Sequence, residues 1–155
     1  MTNTDHPPIT QFRQNYHFLS NFYPQPVWYE DCLYPDNEHA YQSAKTELHE
    51  QYVWIANAPT PGEAKRRGRC ATLRPGWNEH LRYTVMESLI VAKFDPTAQP
   101  AMTALLAATG DAMLIEGNTW HDNTWGVCSC GRCPSGHNLL GWMLMRQRAR
   151  VVTYR

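Results

Sequence analysis

Glu38, Gln42 and Lys45 stand, with Tyr41, at the i, i+3, i+4, i+7 spacing that puts side chains on one face of a helix. A carboxylate aligned with an amine offers proton transfer and, where the amine is held neutral, nucleophilic attack at an electron-poor carbon. A solvated face with an ordinary salt bridge has the same spacing, and spacing leaves both readings open. Lys65, Arg66, Arg67, Arg69 and Arg74 form a second group, near a helix start and a Pro-Gly turn. Such a run suits one or two phosphates, because the arginine fork binds phosphate oxygens in pairs. A solvated helix exterior accounts for it equally well.

A third group lies in Asn118-Thr119-Trp120-His121-Asp122-Asn123-Thr124-Trp125-Gly126. Asp122 suits a base or an electrostatic stabiliser, Trp125 a stacking wall, and Gly126 a point of close backbone approach. An Asn/Asp-rich turn bonded to its own backbone explains these residues too. The fourth group is Cys128, Cys130 and Cys133 followed by His137, a C-x-C-x2-C-x3-H pattern with four tetrahedral ligands for a structural zinc. Free thiols in a loop are the competing reading.

The elements that must position these groups are legible in outline. Residues 1–11, polar and carrying Pro7 and Pro8, read as a loose arm ahead of a domain over 12–155. Val27 to Tyr34 reads as a short aromatic hairpin turning at Glu30-Asp31. Asp36 caps the helix that carries Glu38, with Ala40, Ala44 and Leu48 as its apolar stripe. Thr60-Pro61-Gly62-Glu63 is a capping box opening the basic helix. After Leu73-Arg74-Pro75-Gly76-Trp77, a helix from about Asn78 to Phe94 turns Leu81, Val85, Leu89 and Ala92 inward. Another runs from about Ala98 to Ala108, Met113 to Glu116 is a brief strand, and Gly117 to Gly136 is a long loop of the kind that function or a metal holds in place. Asn138 caps a last helix, Leu139 to Arg148, with its arginines outward.

Composition bounds the partners. At 155 residues and 43% hydrophobic content, one core without disulfide staples is expected. Fourteen basic residues balance fourteen acidic ones, so no net field draws the chain onto nucleic acid or an anionic membrane. A small nucleic-acid module built on zinc is therefore the weakest reading. Apolar runs are short and the first residues lack a signal-peptide pattern, which places the protein in the cytoplasm, away from membranes. Five cysteines, an odd number with three crowded together, fit reduced thiols or a metal rather than a secreted disulfide framework.

Several segments together resemble a known family. Leu19 to Pro24, Tyr34 to Lys45, Thr60 to Arg69, Leu73 to Trp77, Val85-Met86 with Ala92-Lys93-Phe94, Leu105 to Asp111, Asp122 to Gly126, and Gly136 to Gly141 are similar in order and spacing to the motifs of the NADAR (YbiA-like) family. The resemblance implies a single compact α+β domain, predominantly helical with a small β-hairpin. It implies an N-glycosidase acting on ribosyl phosphates: ADP-ribose on guanine, as nucleotide or in DNA, or phosphoribosylamino-pyrimidine intermediates of riboflavin synthesis. The family's functional glutamate falls on Glu38, its lysine on Lys45, its aspartate on Asp122 and its tryptophan on Trp77. Ser20, Asn21, Gln42, Arg69, Trp77, Trp125, Gly126 and Asn138 are the expected substrate contacts, with Trp77 or Trp125 stacking on the base or sugar. No cofactor is needed for catalysis on this reading. A non-catalytic domain that binds ADP-ribose or another nucleotide is the alternative, and the presence of Glu38, Lys45 and Asp122 argues against it. The sequence departs from the family in its Glu30-Asp31 turn, where the family has Asp-Gly, and in the cysteine cluster, which replaces a short glycine-rich link.

Overall fold

The computed structural model describes residues 6–153. Its fold is α+β and mainly helical, as expected, and the described residues fall into two compact units, one of Asn21–Lys93 and one of the residues up to Ser20 together with those from Phe94 onward. Among the described residues no helix is long and apolar enough to cross a membrane.

The Asn21–Lys93 unit opens with an antiparallel hairpin of β1 (Val27–Tyr29) and β2 (Cys32–Tyr34), in register Val27 with Tyr34 and Tyr29 with Cys32. Its two turn residues, Glu30 and Asp31, both take positive φ, at 47° and 61°. That is the mirror-image turn whose twist matches the flanking strands, made here without glycine at some cost in strain. Helix α1 (Asn37–Ser43) is buried along its whole length, and helices α2 (His49–Ala56), α3 (Pro61–Gly68) and α4 (Arg82–Lys93) all belong to this unit, each in contact with α1. Asp36 caps α1 by accepting from the His39 amide at 2.9 Å. The His39 ring also ties α1 down, with Nδ1 against the Asp36 carboxylate and Nε2 against the Ala58 carbonyl, at 2.8 and 2.9 Å.

Two expectations need correcting here. The apolar stripe stops short of Leu48, which is half exposed, because α1 ends at Ser43 with Ala44 as its cap. Thr46 turns the chain by accepting from the Leu48 amide, the usual way a hydroxyl competes with helix bonds. Helix α2, absent from the sequence reading, follows directly. The basic helix matches its signals: Thr60 accepts from the Glu63 amide and Pro61 occupies the first turn. Before α4, Gly76 adopts φ +78°, and the Leu81 amide reaches back five residues to the Gly76 carbonyl, making one π-turn over Trp77–Leu81.

The other unit contains a 3-10 turn (Gln14–Leu19), helix α5 (Pro100–Ala107), the two-residue parallel strands β3 (Gly117–Asn118) and β4 (Val127–Cys128), and helix α6 (Leu139–Thr153). The arm expected over residues 1–11 is corrected for its described part, while residues 1–5 lie outside the described residues. Ile9 is buried and bridges to Leu114, with Ile9 N donating to Met113 and Ile115 N donating to Ile9, both at 2.8 Å. His6 closes on Asp111 at 2.7 Å. Leu140 and Leu144 face inward as the helical spacing predicts, but Arg148 does so too. Its guanidinium donates to Thr109 Oγ1 and the Ala112 carbonyl at 2.8 and 2.9 Å, and burial lowers its pKa.

Candidate active site

Glu38 sits one residue into α1 and is only 6% exposed. Its backbone amide donates to the Asn21 carbonyl, and its Oε1 accepts from Gln42 Nε2 at 2.6 Å. Burial pushes the Glu38 carboxyl above its ordinary range, while the Gln42 bond and the Lys65 and Lys45 charges pull the other way. Lys45 is half-buried and lies past the end of α1, in the turn rather than on the helix as its spacing predicts. Its carbonyl accepts from the Arg74 amide at 2.7 Å, and its Nζ lies 5.8 Å from the centre of the Tyr41 ring. Burial lowers the Lys45 pKa; Glu38 opposes this, and Lys65, Arg69 and Arg82 add to it. Burial thus shifts the carboxyl toward its protonated form and the amine toward its neutral form, and each of the two groups feels the other's charge. Opposed shifts of this kind are what an acid–base pair at a functional site requires.

Helix α3 can approach α1 this closely because residue 68 is glycine. A Cβ there would run into Gln42 Oε1, Cδ and Cβ. Gln42 is buried and bonded to Glu38, so it has little room to retreat. Gly68→Ala is expected to cost about 1–3 kcal/mol of stability by overpacking and to lower activity by displacing Gln42 from Glu38. Denaturation curves and steady-state rates check this; unchanged values in both would show that the contact is slack.

The basic run divides. Arg66 and Arg67 are committed to Glu63, at 2.7 and 2.9 Å, and Arg67 also donates to the Trp54 carbonyl while stacking on its ring. The Lys65 charge bears on both Glu38 and Lys45, and the Arg69 charge on Lys45. Arg82 joins them, and the sequence reading passed over it. Its only signal was a basic residue in the first turn of α4, directly after the Gly76-Trp77 turn. Trp77 is 3% exposed and packs on Tyr41, ring centres 5.3 Å apart, so it backs the ring beside Lys45 and shows no open face. Asn21 is likewise buried, accepting from Asn37 and donating to Met86 Sδ.

Of the expected site residues, Asn21, Glu38, Gln42, Lys45, Arg69 and Trp77 thus lie in one unit, and Ser20, Asp122, Trp125, Gly126 and Asn138 in the other. Asp122 Oδ1 accepts from the Thr124 and Trp125 amides at 3.1 and 2.9 Å, an Asx-turn. The Asp122 backbone is clasped by the Asn118 side chain through both of its groups. Gly126 is needed for packing inside this unit, since a Cβ would strike the Glu116 carbonyl. Asn138 does not use its side chain as a helix cap. Its φ is +52°, and its amide is spent on the Glu116 N–H and the Leu114 carbonyl, at 3.0 and 2.9 Å.

The metal pattern needs a correction. The groups that come together are His121, Cys128, Cys130 and Cys133, with all ligand atoms within 4.8 Å of one another. His137, expected as the fourth ligand, is exposed at the entry to α6 and is not among them; its amide donates to the Asn123 carbonyl. His121 precedes the cysteines by more than the short gaps of common zinc motifs, so spacing favoured the wrong histidine.

Fold and site together define a mainly helical α+β protein with a buried carboxylate, a neighbouring amine and surrounding cations around one central helix. The NADAR domain model matches residues 7–152. N-glycosidase YbiA of Escherichia coli (strain K12) is 32% identical over 140 residues, covering 89% of this chain and 83% of that one. A riboflavin biosynthesis protein of Vibrio vulnificus (strain YJ016) is 30% identical over 142 residues, 89% of this chain but 36% of that longer one. The solved NMR structure of E. coli YbiA matches with a TM-score of 0.81 at 28% identity, over 97% of this chain and 88% of that one. The chain belongs to the NADAR family.

Proposed function

We propose that the protein is a hydrolase that cleaves the bond between ribose C1 and a base nitrogen in a phosphorylated ribosyl substrate, either ADP-ribosyl-guanine, free or in DNA, or a phosphoribosylamino-pyrimidine. The observation that carries this reading is the burial of Glu38 beside a Lys45 whose amine is held toward its neutral form by burial and by three neighbouring cations. The name of the E. coli relative, an N-glycosidase, supports the reaction type.

Breaking a ribosyl C–N bond leaves C1 electron-poor while the base carries off an electron pair, so catalysis needs an electron donor on one side and a proton on the other. In the proposed sequence the C1–O4 bond of the ribose breaks, its electron pair leaving on O4, which takes a proton from Glu38, while the base nitrogen's lone pair makes an iminium with C1. Neutral Lys45 Nζ adds to C1, taking up the iminium's charge, and the Nζ proton it then sheds passes to the Glu38 carboxylate. The C1–N bond to the base then breaks, its electron pair leaving on the base, which takes a proton through Glu38. Water adds to the resulting C1–Nζ Schiff base and releases both Lys45 and the sugar aldehyde, which recloses; the net reaction consumes one water. A second version has Glu38 activate water directly against an oxocarbenium-like transition state, with Lys45 only pairing with a negative charge. No step needs a cofactor. The resemblance adds Asp122 as the group that orients water or ribose hydroxyls.

The defining experiment incubates the purified protein with guanine-ADP-ribosylated DNA and, separately, with phosphoribosylamino-pyrimidines, following release of base and sugar. Turnover of either supports the hydrolase; calorimetric binding with no turnover of both would replace it with a nucleotide-binding domain. Arg69, at the end of α3 and outside the Glu63 ion pairs, is the proposed phosphate contact. Arg69→Ala is expected to raise KM about tenfold or more with kcat nearly unchanged, the signature of lost ground-state binding. An unchanged KM would remove Arg69 from the site.

A further inference from the structure

We propose that His121, Cys128, Cys130 and Cys133 bind one Zn2+ as a closed structural centre that fixes the loop between β3 and α6. The inference is independent of the N-glycosidase reading, and the geometry carries it. His121 Nδ1 lies 3.2 Å from Cys133 Sγ, 3.6 Å from Cys130 Sγ and 3.7 Å from Cys128 Sγ, and the Cys130 and Cys133 sulfurs are 3.5 Å apart. With Zn–S near 2.3 Å and Zn–N near 2.0 Å, tetrahedral zinc spaces its ligand atoms about 3.5–3.8 Å apart. No pair exceeds 4.8 Å, so closing the set requires movement of about 1 Å or less, and although Cys128 is buried, His121, Cys130 and Cys133 are exposed or only part-buried.

The surroundings are those of a ligand set rather than of thiols that happen to meet. The Arg132 amide points at Cys130 Sγ at 3.5 Å, across a turn in which Gly131 takes φ +77°. An amide aimed at a sulfur two residues earlier is the outer-shell support that a metal thiolate uses. Gly131 meets nothing within 4 Å of a built Cβ, so backbone conformation and not crowding accounts for glycine there. His121 takes φ +68°, an uncommon conformation for a residue with a side chain, and it is this that turns the ring toward the three sulfurs from the far end of the loop. All five cysteines are free, so no disulfide competes for these sulfurs.

Ligand chemistry selects the ion. Three thiolates and an imidazole in tetrahedral array suit zinc, and four protein ligands leave no open position for water or substrate, which makes the centre structural and not catalytic. Its consequence lies in the loop itself: His121 adjoins Asp122, and Cys128 belongs to β4, so the ion would cross-link the Asx-turn to the strand pair of the same unit.

The test uses the full chain expressed with zinc in the medium and purified under reducing conditions without strong chelator. Elemental analysis is expected to find one zinc per chain, retained by His137→Ala and lost or weakened at least about tenfold in affinity by His121→Ala. Zinc-free protein titrated with Co2+ is expected to show the strong visible absorption of a tetrahedral site with a thiolate charge-transfer band, saturating at one equivalent. Stripping the wild type with a strong chelator is expected to lower its Tm. Failure of the reduced wild type to hold zinc and to give the Co2+ spectrum would overturn the proposal, even if the cysteine variants do not fold. Loss of metal in His137→Ala with retention in His121→Ala would overturn the ligand set.

Discussion

Lys45→Ala is expected to lower kcat/KM by about a thousandfold or more, with the loss in kcat, because the proposed covalent step loses its nucleophile. Lys45→Arg is expected to fail as badly. Arginine keeps the positive charge but stays protonated at every accessible pH, so it can pair with phosphate yet cannot attack C1. The two substitutions together separate the two versions of the mechanism: substantial activity in Lys45→Arg would mean that only the charge matters and would leave direct water attack in place. Borohydride added during turnover should fix a sugar adduct on Lys45 of the wild type and on neither variant. The pH profile supplies the sign. Burial and the Lys65, Arg69 and Arg82 charges hold the folded Lys45 pKa below its ordinary value, and the reactive form is the neutral amine. The rate should therefore rise as pH rises through that lowered value, at a lower pH than an ordinary lysine would allow. Arg82→Gln removes one of the cations, so its profile should move toward higher pH; a profile that stays in place would detach the limb from Lys45.

How far the sequence revealed this arrangement depends on the range over which each signal acts. Signals of a few residues held well. The cap at Asp36 and the Thr60 half of the capping box are local bonding patterns formed where the residues imply, while the Glu63 carboxylate turns to Arg66 and Arg67. The hairpin turn at Glu30-Asp31 formed without glycine because both residues accept positive φ. Extrapolated periodicity failed sooner. The spacing that puts Lys45 two turns beyond Glu38 assumes a continuous helix, and Thr46 and the Arg74 amide break it first; Lys45 still acts on Glu38, but from the turn. Groups joined only by tertiary folding left least trace. Arg82 reaches Lys45 through the packing of α4 on α1, and His121 reaches the cysteines through a left-handed backbone residue. Neither fact is written in spacing. The resemblance to the NADAR family named Glu38, Lys45 and Trp77, but it did not show that Trp77 works from behind Tyr41 with its own ring buried.

Glu38→Gln should separate function from stability most sharply. The side chains are nearly the same shape, and a glutamine carbonyl can still accept from Gln42 Nε2, so packing and the 2.6 Å bond survive. What is lost is the exchangeable proton. If Glu38 relays the proton to the departing base, kcat should fall by about 10²–10⁴-fold, the usual worth of a positioned acid or base, and the limb of the pH profile that belongs to Glu38 should disappear. Stability should move the other way. The folded pKa of Glu38 is raised by burial above its ordinary value of 4.5, so the folded state holds this proton more tightly than the unfolded chain does. Below the unfolded value that preference counts fully in favour of folding; as pH rises through the folded value it is lost, and at neutral pH ionisation of Glu38 costs the folded state. Glutamine carries no such cost. The variant is therefore expected to melt above the wild type at neutral pH, with the gap closing as pH falls toward 4.5, while remaining nearly inactive. A variant that melts lower at neutral pH would show that the Lys65 and Lys45 charges more than offset the burial of Glu38. An active one would take Glu38 out of the chemistry altogether.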